Sequence, residues 1–140
     1  MSVYVVDASV AVKWMLPEPL AAKATRLQSP AHRLHAPSFI EVELANVLWK
    51  KLRQGLLTRT EADAFVAQLP NLLLMRHADS ALVPAAFDLA DRTARSVYDC
   101  MYLALAIQVG GQMVTADDRL FNSLRSTPYA AFVLRLDSLP

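Results

Sequence analysis

Asp7 closes a short β-branched and aromatic run, Val3 to Val6, and Asp117 lies just past a second such run, Gln112 to Val114. Asp99 opens a helical stretch in the same half of the chain. Ligands of open α/β sheets bind beyond the C-terminal ends of the strands, so three acids occupy potential cleft positions. Each also has a plainer role open to it. Asp is a favoured helix N-cap and sits well at the positive end of a helix dipole.

Glu43 is harder to explain by capping, because it falls inside the long helical stretch that follows Ser38. Projected at 3.6 residues per turn, Ile40, Leu44, Val47, Leu48 and Leu52 form one apolar arc, which Val42, Ala45 and Trp49 extend around the far side. Glu43, Asn46 and Lys50 remain as one narrow polar stripe, which either faces solvent or lines a wet cleft. Glu41 projects elsewhere around the axis and suits a capping box with Ser38.

Carboxylates gathered in one cleft repel one another, and their pKa values rise unless something positive neutralises them. A divalent cation is the simplest neutraliser, and hard oxygen ligands suit Mg²⁺ or Mn²⁺. Zn²⁺ would want His or Cys at spacings that His32, His35, His77 and Cys100 do not provide. His32 and His35 are better read as exposed polar residues of a loop or strand edge. An ion held in such a cleft would activate a bound water for hydrolysis. Lys13, Arg95 and Arg119 are candidates for phosphate contact beside it.

Other chemistries fit less well. An aspartyl phosphotransferase with Asp7 as nucleophile would want a second Asp two residues on, where Ser9 stands. A phosphorylated receiver domain would want an Asp ending the third strand, where the chain has Arg76 and His77. With three glycines and no GxGxxG or GxxxxGKS/T arrangement, dinucleotide and P-loop binding are disfavoured. A non-catalytic module that binds RNA or a protein is the rival from another class; an intact acid cluster argues against it, being costly unless charge-compensated.

The elements that must position these acids alternate. Strands are expected at Val3–Val6, Leu34–Ala36, Leu72–Met75, Gln112–Val114 and Phe132–Leu134. Helices are expected after Asp7, after Pro19, from Ser38 to Gln54, from Thr58 to Leu69, over Asp79–Arg95, over Asp99–Val109 and over Asp117–Leu124. The alternation indicates an α/β layered domain with a mainly parallel sheet, because parallel neighbours need helical crossovers.

At 140 residues and 54% hydrophobic content, one domain spanning residues 1–140 is expected. Only 19% of residues are charged, so apolar surface is left for a partner or second subunit. The net charge of +1 gives no nucleic-acid footprint by itself, and binding to a polyanion must come from local groups such as Arg92 with Arg95, Lys50 with Lys51 and Arg53, or Arg119 with Arg125. A single cysteine suits a reducing compartment. No apolar run reaches the roughly 20 residues of a membrane span and no signal peptide opens the chain, so a cytoplasmic protein is expected.

The motifs together resemble the PIN-domain ribonucleases, and specifically the VapC-type toxins of bacterial toxin–antitoxin pairs. ValValAspAlaSerValAlaValLysTrp is similar to the family's first motif, AlaProSerPheIleGluValGluLeuAlaAsnValLeu to the second, TyrAspCysMetTyrLeuAlaLeuAla to the third and MetValThrAlaAspAspArgLeu to the fourth. Four motifs in order, each aligned with an expected element, cover nearly the whole chain. Cys100 departs mildly from the small residue expected beside the third acid.

The resemblance implies a three-layer α/β/α sandwich with about five strands. It further implies Asp7, Glu43, Asp99 and Asp117 as metal-binding acids, Ser9 and Thr115 beside them and Asn46 steadying Glu43. Glu41 and Asp118 adjoin two of these acids; the spacing from Pro37 favours Glu43, and the position after ThrAla favours Asp117. RNA as substrate, Mg²⁺ or Mn²⁺ as cofactor, a homodimer and a small VapB-type antitoxin are also implied. Trp49, Val42 and Ala45 suit such an interface or, alternatively, the monomer core.

Overall fold

The structure, a computed structural model, describes residues 2–140. Five strands form one sheet: β1 (Ser2–Val6), β2 (His32–Pro37), β3 (Met75–His77), β4 (Gln112–Thr115) and β5 (Val133–Arg135), in the order β3-β2-β1-β4-β5. Every pairing is parallel; Val5 lies opposite His35 on one side and Met113 on the other. Val5, Val6, Met113 and Val114 are buried completely, as strands covered on both faces must be.

Seven α-helices connect the strands: α1 (Ala8–Ala11), α2 (Ala21–Arg26), α3 (Ile40–Arg53), α4 (Arg59–Gln68), α5 (Asp79–Thr93), α6 (Val97–Val109) and α7 (Asp118–Leu124). The chain winds from β1 outward through β2 to β3, then crosses back past β1 to β4 and β5. With right-handed crossovers, α1 to α4 cover one face and α5 to α7 the other. The reversal of winding beside β1 makes the C-terminal ends of β1 and β4 the switch point of the sheet.

α6 is the central support. Its residues Cys100 to Ala106 are all buried, so this helix packs on all sides and has no solvated stripe in its middle. It ends at Gly110 with φ +70°, the left-handed closing residue, and Gly111 follows so close to β1 that a Cβ there would lie 2.4 Å from the carbonyl oxygen of Val3.

Several boundaries depart from the sequence expectation. α1 spans a single turn and passes into a 3₁₀ turn, Val12–Trp14, and α2 begins only at Ala21, after Leu20 adopts φ +66°. The expected third strand, Leu72–Met75, is displaced to Met75–His77, because the pairing of Pro37 with His77 sets the register. β5 is shifted one residue, to Val133–Arg135. α5 stops at Thr93, since Ala94 takes a left-handed conformation, φ +59°.

The Ser38–Glu41 capping box does not form. α3 starts after Phe39, whose amide donates to Asp79 Oδ1 at 3.1 Å. Ser38 donates instead to the His77 carbonyl at 2.9 Å, and Glu41 pairs with Arg76 at 2.8 Å. Long-range partners outcompete the local reciprocal cap. Glu43 therefore belongs to the first turn of α3, not to its interior.

Two further expectations are corrected. His35 is buried, 2.9 Å from His77 Nε2 through its Nδ1, with burial, then His77, then Arg33 holding its pKa below the ordinary imidazole value. The alternative that Val42 and Trp49 lie in the monomer core fails, since they are 71% and 54% exposed. The Thr58–Glu61 capping box forms as the sequence indicates.

Candidate active site

β1 ends at Val6, and the next residue turns the chain into α1. Asp7 is the N-cap of that helix, its Oδ1 accepting from Val10 N at 3.2 Å and from Ser9 Oγ at 2.5 Å. Asp117 repeats the arrangement after β4, capping α7 by accepting from Leu120 N at 3.1 Å. The capping role and the cleft position are thus held by the same side chains. Parallel neighbours β1 and β4 place both turns at one sheet edge.

Ser9 and Thr115 tie these turns together. Ser9 Oγ accepts from Ala116 N at 2.9 Å and lies 3.4 Å from Thr115 Oγ1, which accepts from Asp117 N at 3.0 Å. Thr115 is buried, so the two hydroxyls are fixed and set the relative position of Asp7 and Asp117.

The other two acids enter from helices on opposite faces. Asp99 is in the first turn of α6, where Ser96, not Asp99 itself, is the N-cap: Asp99 N donates to Ser96 Oγ at 3.1 Å. Its carboxylate pairs with Arg95 at 3.1 Å. Glu43 comes from α3 and accepts from the Tyr102 hydroxyl at 2.5 Å. Asp7, Glu43, Asp99 and Asp117 line one cleft of about 110 Å³ with Ala8, Ser9, Tyr102 and Leu120.

The electrostatics reflect this crowding. Asp7 is 5% exposed, and burial pushes its carboxyl up to about 6 against the lowering effect of hydrogen bonds from Ser9, Thr115 and Val10, with Glu43 adding repulsion. Burial also raises Glu43, and Asp99 raises it further, although the Tyr102 hydrogen bond opposes both. Tyr102 in turn is held far above the ordinary phenol value by burial and by Glu43. A larger apolar hollow of about 250 Å³ lies away from these acids, between Leu16 and Leu57, and carries no comparable chemistry.

A hard divalent cation suits the donor set. Four carboxylates, two of them destabilised in their charged forms, face one small polar cleft. Among the described residues, no three His, Cys, Asp or Glu side chains are already grouped to hold a metal ion. Each acid meets its neighbour through one carboxylate oxygen, Asp7 Oδ1 with Ser9, Glu43 Oε1 with Tyr102, Asp99 Oδ2 with Arg95 and Asp117 Oδ1 with Leu120 N, so these contacts orient the carboxylates and leave the second oxygen of each for an ion.

The accessory residues divide. Ser9 lines the cleft and Thr115 bonds to it from behind. Asn46 is exposed and makes no hydrogen bond to Glu43; Tyr102 takes the steadying role expected of it. Lys13 is folded onto Glu18 at 3.2 Å with a side chain only 9% exposed, and it does not line the cleft. Arg95 is occupied by Asp99, and Arg119 is exposed on the first turn of α7. Glu41 and Asp118 point to other partners, Arg76 and Arg135. Tyr102 was missed in the sequence. A phenol three residues after Asp99, on the same face of an apolar helix, was the available signal.

Comparison with known proteins finds relatives in sequence and in fold. A protein of Pyrobaculum aerophilum named Ribonuclease VapC3 is 37% identical over 118 residues, covering 83% of this chain and 90% of the relative. The crystal structure of Mycobacterium tuberculosis VapC20, described as a sarcin-ricin loop cleaving toxin, superposes with a TM-score of 0.64 at 16% identity over 86% of this chain and 95% of that one. VapBC2 from Rickettsia felis, bound to a DNA fragment from their promoter, matches with a TM-score of 0.59 at 13% identity over 95% and 98% of the two chains. The family description PIN domain matches residues 4–125, a span that contains all four acids, and the chain belongs to the PIN domain family.

Proposed function

We propose that this chain is a divalent-metal-dependent endoribonuclease and the toxin of a VapBC-type pair. The observation that carries the reading is the convergence of Asp7, Glu43, Asp99 and Asp117 on one small cleft at the switch point of the sheet. A relative named as a ribonuclease, 37% identical over most of both chains, supports RNA as the substrate.

In this reading the four acids hold Mg²⁺ or Mn²⁺. An ion held by these four residues would supply an activated water and offset charge on the phosphoryl oxygens. Ser9 and Thr115 keep Asp7 and Asp117 at a fixed separation, and Tyr102 orients Glu43 by donating to Oε1. Arg119, exposed beside Asp117, meets the RNA backbone; Arg95 can do so only by giving up Asp99. Lys13 is left out of the substrate contacts because Glu18 neutralises it.

A VapB-type antitoxin and a second copy of the chain are the protein partners. Val42, Trp49 and Val66 are exposed, and a groove of about 210 Å³ runs between α3 and α4 beside Trp49. Apolar surface of this kind favours a covering partner. Among the described residues no helix is long and apolar enough to cross a membrane, and the reading places the protein in the cytoplasm, where its RNA substrate is.

The test is cleavage of structured RNAs by wild type and Asp7→Asn, with Mg²⁺, with Mn²⁺ and with chelator. Cleavage by wild type with metal only, lost in Asp7→Asn, is the expected result. Equal cleavage by both proteins overturns the proposal.

A further inference from the structure

Tyr98 is 69% exposed, an unusual setting for an aromatic side chain on a helix whose following residues Cys100 to Ala106 are all buried. It immediately precedes Asp99, one of the acids of the cleft. Its ring lies 6.0 Å from Phe39, and Phe39 lies 5.4 Å from Tyr102, which itself lines the cleft. The three rings therefore run continuously from the acids to the surface.

The position of this row is fixed from both sides. Ser96 caps α6 through Asp99 N, which orders the turn that carries Tyr98. On the α3 side, the amide of Phe39 is held by Asp79. Aromatic surface that is ordered and solvent-facing binds at low entropic cost. Trp49 and Phe87 are also exposed, but they lie on α3 and α5 with no cleft acid next to them in the chain.

The occupant follows from the size of the cleft. At about 110 Å³ and lined by four acids, it has room for ions, water and a reacting phosphoryl group, and the bases flanking that group must lie outside it. Proteins read unpaired RNA by stacking its bases on aromatic rings, because every base has a π-face whatever its sequence. Arg95, three residues before Tyr98, is paired with the cleft acid Asp99 at 3.1 Å, which helps to order the same turn. We propose that Tyr98, backed by Phe39, is a stacking platform for an unpaired nucleobase next to the scissile phosphate. This rests on the ribonuclease reading and names the part of the substrate that the rim recognises: a base freed from its helix, as in a loop or single strand.

The experiment measures kcat and KM with Mn²⁺ for wild type, Tyr98→Ala and Tyr98→Phe on a cleavable RNA oligonucleotide. Matched oligonucleotides carry an abasic nucleotide at each of the two positions on either side of the cleaved bond. Stacking of one base predicts that an abasic nucleotide at one of these positions raises the wild-type KM roughly tenfold. Tyr98→Ala should show that rise on the intact RNA and no further rise on the abasic one, whereas Tyr98→Phe should behave as wild type. Unchanged kinetics in Tyr98→Ala, or an equal loss on intact and abasic RNA, overturns the platform while wild-type cleavage leaves the ribonuclease reading standing. A change of Tyr98→Ala from dimer to monomer in sedimentation assigns the ring to a subunit contact and also overturns it. If wild type cleaves none of the RNAs, both readings fall together.

Discussion

Tyr102 and Glu43 join helices from opposite faces of the sheet, the phenol on α6 donating to Oε1 on α3 at 2.5 Å. Tyr102 is 3% exposed, and this charge-assisted bond fixes which way the Glu43 carboxylate faces.

Tyr102→Phe keeps the ring packing on Phe39 and removes only this donor. Partners that orient a metal-binding carboxylate typically contribute about 10- to 100-fold to metal affinity or activity. The variant is expected to bind Mn²⁺ more weakly within that range while unfolding close to the wild-type temperature, as measured by calorimetric titration and thermal melting. Unchanged affinity would show that Glu43 needs no such support.

Asp7 gives the fold a pH dependence that the metal should reverse. Its folded-state pKa, about 6, lies above the unfolded value of 3.8, so the folded state binds more protons between these values. Its contribution to stability is therefore largest below pH 4 and is lost as pH rises through about 6. At 1.36 kcal/mol per unit the loss is about 3 kcal/mol as an upper bound. Asp7→Asn keeps an acceptor for Ser9 and Val10 without the charge. In chelator it should be the more stable protein at pH 7.5, and the difference should shrink at pH 4. Urea unfolding at the two pH values reads this directly, and a wild type as stable as the variant at pH 7.5 would contradict it.

Paired acids separate chemistry from scaffolding. Glu41→Gln is expected to lower stability by loosening Arg76, whose guanidinium also caps the carbonyls of Leu69, Leu72 and Leu74, and to leave RNA cleavage within about twofold. Glu43→Gln is expected to abolish cleavage. Asp117→Asn should likewise be inactive yet folded, because Asn caps a helix about as well as Asp. Asp118→Asn, which weakens only the Arg135 pair, should remain active. Cleavage by Asp117→Asn together with loss in Asp118→Asn would reverse the assignment.

How much of this was legible in the sequence differs from element to element. The strand-turn-helix succession around Asp7 and Asp117 was readable, because β-branched runs and Asp caps are local signals. The start of α3 was not. Ser38 and Glu41 have capping-box spacing, but His77 and Arg76, from a neighbouring strand, take both side chains. The edge β3 was misplaced for a related reason: Leu72 to Leu74 look like a strand, yet pairing with β2 begins only at Met75. The gathering of the four acids in one cleft was anticipated from motif resemblance and strand ends together. Asn46 and Lys13 were expected near them and were not brought to the cleft, because helix phase fixes direction only within one element and says nothing of a partner such as Glu18.

The most direct measurement of the central claim is Mn²⁺ binding, by calorimetric titration and by the loss of the free-ion electron paramagnetic resonance signal, to wild type and to Asp7→Asn, Glu43→Gln, Asp99→Asn and Asp117→Asn. If the four side chains share cations, wild type binds and each variant binds at least about tenfold more weakly. Full affinity retained in any two of the folded variants would contradict a common site.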